Sequence, residues 1–180
     1  MITRTLYLFS SAAPPVFDVA KVIEDAQQRG FDVCLGLTPT AARWLEESLD
    51  GLAALTGHPV RWDYELPAQP DPWPPADVIA FAPATFNSLN SWATGITRDF
   101  VVGVVAEGIG KGIPIVTMPC VNAAYTRHRQ FERSVTELRE MGVTVLYGED
   151  GFVPNEPGEG YPLAHPWHLV LDAAERAVVS

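Results

Sequence analysis

Apolar runs without polar alternation recur along this chain, separated by stretches in which apolar residues return every three or four positions. The clearest run is 78–82, VIAFA, which suits a strand covered on both faces, as in a parallel sheet. Similar runs at 5–9, 32–37, 113–118 and 143–147 predict further strands, and 58–64 is a weaker sixth. Between them lie helical patterns. Val16, Val19, Ala20, Ile23 and Ala26 share one face after Pro14-Pro15, which a first helical turn accepts, and the pattern stops at Gly30. Further helices are expected over 41–49, 86–94 (ending before Gly95), 99–109, 123–141 and 167–178. The 123–141 helix keeps Phe131, Val135 and Leu138 on one side.

Strands alternating with helices imply a parallel sheet with helices on both faces. The expectation is an α/β, Rossmann-like three-layer fold with six parallel strands, built by residues 1–180 as a single domain. Right-handed crossovers bring every strand's carboxyl end to one edge, where ligands bind in such folds. Pro83 is expected to stop the strand at 78–82, since it cannot donate to the ladder. Five of the sixteen prolines fall within 66–75, which reads as a stiff surface loop. The Gly-, Pro- and Glu-rich stretch 148–160 reads as a mobile loop.

A net charge of −10 argues against nucleic acid or an anionic membrane as a partner. Cys34 and Cys120 match no zinc or CxxC spacing, so the expectation is a reduced, cytoplasmic setting with no metal site. His165 and His168, in HPWH, have no further clustered ligands. The opening MITRTLYLFSSAAPP has traits of a signal peptide, but its apolar part is short and a helical pattern follows directly, so a buried first strand accounts for it better. The apolar stretch 101–118 is interrupted by Glu107, Lys111 and Pro114, and no membrane span is expected.

The chemistry concentrates in the turns after the strands. Ser10-Ser11-Ala12-Ala13 follows the first strand and has no glycine, so it lacks the G-x-G-x-x-G of dinucleotide sites. This disfavours NAD or a sugar nucleotide. Ser10 and Ser11, with Thr38 after the second strand, could hold one phosphate of a mononucleotide-sized ligand, and the same residue types also cap helices. Thr85, Asn87 and Ser88 follow the 78–82 strand, beside Ala84, whose small side chain lets a flat ligand approach the backbone. Pro83-Ala84-Thr85-Phe86-Asn87 is nearly repeated by Pro119-Cys120-Val121-Asn122 after the next strand. Each asparagine offers two donors and an acceptor, suited to a heterocycle edge or a carboxylate, and each is also a good cap.

The stretch PATFNS resembles the PASANT motif of the flavin-containing cysteine decarboxylases, which include phosphopantothenoylcysteine decarboxylases and lantibiotic peptidyl-cysteine decarboxylases. MPCVN resembles that family's PAMN signature, and the likeness runs from the first strand to Gly148-Glu149-Asp150-Gly151. The resemblance implies bound FMN, with its phosphate near Ser10, Ser11 and Thr38 and its ring against Ala84, Thr85, Asn87 and Ser88. It also implies a homo-oligomer, a trimer or a dodecamer, acting on a small-molecule or peptide thiol. The reaction implied is oxidative decarboxylation of a cysteinyl substrate, with Asn87 and Asn122 as the catalytic pair holding the carboxylate and the reacting end.

Two positions depart from the family pattern. Gln69 stands where the family has a histidine, and Tyr147 stands where phosphopantothenoylcysteine decarboxylases have a late-loop cysteine. These departures keep open a non-catalytic FMN-binding regulatory or scaffold protein. His58 is the nearest upstream histidine. Cys120 and Trp92 read as packing residues, and Arg127, His128, Arg129 and Arg133 as a solvated helix face.

Overall fold

The computed structural model describes residues 3–148, 151–159 and 165–179. Five strands, β1 (Arg4–Ser10), β2 (Phe31–Leu37), β3 (Val78–Ala84), β4 (Ile115–Pro119) and β5 (Thr144–Val145), form one parallel sheet in the order β2-β1-β3-β4-β5. Helices connect them: α1 (Val19–Gln28), α2 (Pro39–Trp44), α3 (Leu49–Thr56), α4 (Phe86–Ala93), α5 (Phe100–Gly110), α6 (Ala123–Thr126), α7 (Arg129–Glu140) and α8 (Trp167–Ala177).

Successive side chains of a strand point to opposite faces, so one apolar strand feeds two cores. Leu6 and Leu8 of β1 join Val33, Leu35, Ala80 and Val116 beneath α1, α2, α3 and α8. Phe9 joins Ile79, Phe81 and Ile115 beneath α4, α5 and α7. This is the expected three-layer arrangement, and it explains why every residue of β3 is buried. Phe131, Val135 and Leu138 of α7 do pack on the sheet as a single face.

The sheet has five strands, not six. Residues 58–64 make only one isolated bridge, Arg61 beside Gly36. Pro59 removes a ladder donor there. Arg61 is buried with its guanidinium over Trp73 and Phe100 and bonded to Asp71, while residues 62–66 are exposed. The proline-rich loop that follows is anchored by buried Trp73 and by the Tyr7 hydroxyl, which donates to the Pro74 carbonyl at 2.8 Å.

Other boundaries also move. The helix expected over 41–49 ends at Trp44, and α3 was not anticipated. The helix expected over 123–141 is two helices, because His128 is extended and its Nδ1 accepts from the Gln130 N–H, starting α7 afresh. Pro83 does not end its strand. The ladder to β4 shifts register after Phe81 and resumes at Ala84 opposite Pro119, a bulge that accommodates the missing donor. Of the loop expected over 148–160, residues 149, 150 and 160 lie outside those described. Among the described residues no helix is long and apolar enough to cross a membrane.

Candidate functional site

From β1 the chain builds β2 on one side and later β3 on the other, so the strand order reverses between β1 and β3. The turns leaving neighbouring strands diverge there and open a crevice at the carboxyl edge. Backbone bonds stitch the strand ends together: Thr38 N–H to Ser10 carbonyl (3.0 Å), Ser11 N–H to Pro83 carbonyl (2.9 Å) and Cys120 N–H to Ala84 carbonyl (2.9 Å).

Beside this seam lies a cleft of about 920 Å³. Ala12 to Pro15, after β1, form one part of its lining. Thr85, Phe86 and Asn87 after β3 form a second, and Cys120, Val121, Asn122 and Tyr125 after β4 a third. The remaining wall comes from residues 151–159 and from His165 and Pro166. That wall is tied down where the Asn155 carbonyl accepts from the Ala123 N–H (2.8 Å) and where the Phe152 N–H donates to the Leu146 carbonyl (3.2 Å). Gly151 passes so close to Leu146 that an added Cβ would overlap the Leu146 carbonyl group.

Three of the sequence-derived site residues line this cleft together: Thr85, Asn87 and Asn122. Asn122 caps α6, its Oδ1 accepting from the Ala124 and Tyr125 N–H groups at 3.1 Å each. Its amide nitrogen has no partner among the described residues, so one side chain both caps and lines. Asn87 is exposed, and its Oδ1 accepts from Arg98 at 3.1 Å.

The other five, Ser10, Ser11, Thr38, Ala84 and Ser88, are buried and do not line the cleft. Ser10 Oγ donates to the Ala82 carbonyl at 2.7 Å. Ser11 Oγ donates to Ser88 Oγ at 2.8 Å, and Thr85 Oγ1 donates to the same oxygen at 3.2 Å. This hydroxyl cluster locks the turn after β1 to the start of α4. Thr38 Oγ1 accepts from the Ala41 N–H and caps α2.

Two features of the cleft were not anticipated. Phe86 and Tyr125 stack at 4.6 Å and 27°, placing an aromatic pair between the two asparagine turns. His165 is buried on the wall, and burial pushes its pKa down to about 4, so its ring is neutral at ordinary pH. The only trace of it in sequence is a histidine just before an apolar helix. Cys120 also lines the cleft, and burial pushes its thiol up to about 11, so it stays protonated. Among the described lining residues there is no lysine or arginine, whereas Glu156 and Glu159 stand at the exposed rim. Among the described residues, no cluster of three metal-ligating side chains occurs.

Gln69 is exposed and outside the cleft. His58 is held by Asp32 at 2.8 Å, also outside it. Tyr147 packs edge-on against Phe131 at 5.0 Å.

Comparison with known proteins bears on this geometry. The chain is 27% identical over 166 residues to the coenzyme A biosynthesis bifunctional protein CoaBC of Bacillus subtilis (strain 168), covering 88% of this chain but 37% of that protein. It thus spans well under half the length of this relative. Among solved structures, the FMN-dependent cysteine decarboxylase SpaF superposes with a TM-score of 0.76 at 24% identity, covering 98% of each chain. TvaF, the FMN-dependent cysteine decarboxylase from thioviridamide biosynthesis, gives 0.72 at 21% identity over 99% of this chain and 100% of its own. The FMN-binding protein AtHal3 gives 0.74 at 16% identity over 97% and 96%. At these identities the superpositions establish the fold. The profile of the family described as Flavoprotein matches residues 3–176, nearly the whole length, and the chain belongs to the Flavoprotein family.

Proposed function

We propose that the chain is an FMN-dependent decarboxylase that acts oxidatively on a cysteinyl substrate, a small-molecule or peptide thiol. The observation that carries this is the meeting of Asn87 and Asn122, from turns after neighbouring strands, on one cleft at the sheet's reversal point. The cleft fits a flavin ring. Its size falls in the range of small-molecule and cofactor sites, its lining includes the small residues Ala12 and Ala13, and away from Glu156 and Glu159 at the rim its polar groups are neutral donors and acceptors. The phosphate fits less directly. Ser10, Ser11 and Thr38 would hold it only by exchanging their present bonds, since no cation lines the described cleft.

FMN, when bound, supplies the two-electron oxidation that precedes loss of carbon dioxide. The chain's own part is positioning. The unpaired Asn122 amide donates to the substrate carboxylate, and Asn87 holds the reacting end. Thr85 borders the ring, with Ala84 and Ser88 behind it. Asn87 is itself oriented by Arg98. The visible spectrum of the purified protein, with carbon dioxide release from a peptide ending in cysteine, tests this. A protein that neither contains nor takes up FMN refutes it.

A second reading, a non-catalytic FMN-binding regulatory or scaffold protein, is favoured by one observation: Gln69 lies outside the cleft. Carbon dioxide release from a cysteinyl substrate eliminates it. We further assign a cytoplasmic homo-oligomer, a trimer or dodecamer. For the self-association alone, support comes from Phe17 and Trp44, stacked at 5.8 Å yet 58% and 46% exposed, as a contact surface would be.

A further inference from the structure

An anion at the carboxyl edge of a parallel sheet is ordinarily held by free N–H groups where a helix begins, by hydroxyls that face it and by nearby cations. The corner formed by the turns after β1 and β2 has little of any of these. The first turn runs into Pro14 and Pro15 and the second into Pro39, and proline has no N–H to offer. Neighbouring amides are engaged: Ser11 N–H with the Pro83 carbonyl, Ala13 N–H with the Ser11 carbonyl and Val16 N–H with the Ala13 carbonyl, each at 2.9 Å. Of residues 11–16, Ala12 alone keeps an N–H without a bond among the described residues. In the second turn Thr38 N–H donates to the Ser10 carbonyl, and the Ala41 and Ala42 N–H groups donate to Thr38 itself. The hydroxyls are no freer. Ser10, Ser11 and Thr38 are 0%, 1% and 7% exposed, and the two serines donate to the Ala82 carbonyl and to Ser88 Oγ.

Charge points the same way. No lysine or arginine lines the cleft among the described residues, and positions 1, 2, 149, 150, 160–164 and 180 contain neither. Glu156 and Glu159 stand at the rim, and Arg127 is paired with Glu156 at 3.4 Å. Arg43, the cation closest in sequence to the second turn, is exposed, lies outside the cleft and donates to Thr40 Oγ1 at 3.1 Å. Arg98 is exposed and donates to Asn87, in the turn after β3. A phosphate dianion drawn into this corner loses hydration and finds almost nothing in return. A flat, uncharged ring gives up far less water, and it meets Ala12, Ala13 and Val121 beside the neutral amide of Asn122.

We infer that the chain holds its flavin by the ring and leaves the phosphate of the tail in solvent, so that riboflavin, which lacks the phosphate, binds as well as FMN. This rests on the reading that a flavin occupies the cleft. The prolines at the two helix starts thereby become determinants of cofactor choice, and the oxidising ring is the same in both flavins.

The test is a fluorescence titration of the full, unmodified chain, freed of any bound flavin, with riboflavin and with FMN at about 0.15 M salt. Riboflavin is expected to bind within about threefold of FMN, or more tightly. A phosphate held by charge-assisted hydrogen bonds would favour FMN by roughly tenfold to a hundredfold. FMN binding more than about threefold tighter therefore overturns the inference, while the flavin reading stands. Binding of neither flavin defeats both.

Phosphorus NMR of FMN bound to the unmodified protein reads the tail directly and needs no variant to fold. The bound phosphate is expected to titrate near its ordinary second pKa of about 6, or slightly above it in the field of the acidic rim. Donors gathered round a dianion favour the charged form, so a pKa lowered by more than about half a unit overturns the inference.

Discussion

Asn122 performs two tasks with one side chain, and the two can be pulled apart. Its Oδ1 caps α6 while its amide nitrogen is left for the cleft. Asn122→Asp keeps the acceptor and should cost less than about 0.5 kcal/mol, whereas Asn122→Ala should cost about 1 kcal/mol, both read by urea unfolding. Carbon dioxide release should fall at least about tenfold in both, because each loses the donor and the aspartate also repels a substrate carboxylate. Activity that tracks stability instead would make Asn122 a cap only. At Ser88, whose Oγ accepts from Ser11 and Thr85, alanine strands two hydroxyls and should cost about 1–3 kcal/mol in the same measurement.

His165 sets a pH dependence. Its pKa is about 4 in the folded chain and near the ordinary 6.5 when unfolded, so between those values the unfolded chain binds more protons. Stability is therefore full above about pH 6.5 and declines as pH falls towards 4, by at most about 3 kcal/mol. His165→Phe should flatten that part of the stability–pH curve, and an unchanged slope would show that other groups set it.

At the scale of elements, the site depends on a wall that crosses the end of β5. Gly151 passes against the Leu146 backbone, where a Cβ has no room. Gly151→Ala should displace residues 151–159 and cost about 1–3 kcal/mol by overpacking. The expected companion effect is lower flavin content in the purified protein, read by visible absorbance. A variant with normal stability and normal flavin content would show that this wall does not shape the cleft. The break between α6 and α7 belongs to the same scale. The apolar face of Phe131, Val135 and Leu138 was legible, but the His128 cap that restarts the helix was not. A histidine's choice to cap depends on how the preceding turn is held, and here the Asn155 carbonyl holds it.

For the whole molecule, a net charge of −10 and a cleft rim bearing Glu156 and Glu159 set a field that repels anions. A cysteine-terminated peptide carrying lysine should bind more tightly than one carrying glutamate. The difference should shrink at about 0.5 M salt, where screening acts within a few ångströms. The proposed assembly is tested at the exposed Phe17–Trp44 stack: replacing both with glutamate should shift the protein to a smaller species in sedimentation, and an unchanged mass would place any interface elsewhere.

The alternation of strands and helices, the two-sided burial of the sheet and the polar turns at one edge follow from the sequence alone, whereas the number of strands and several helix boundaries do not. They depend on local periodicity and on residues such as proline and asparagine, whose conformational and hydrogen-bonding habits travel with them. Tertiary structure decided the rest. Ser10, Ser11 and Ser88 carry the same hydroxyls as Thr85, yet contacts dozens of residues away turned them inward and left Thr85 at the surface of the cleft. Arg61 became a buried cation beneath two aromatic rings instead of a strand residue, and His165 became part of the wall, because burial and partnership are set by what the chain brings back from a distance.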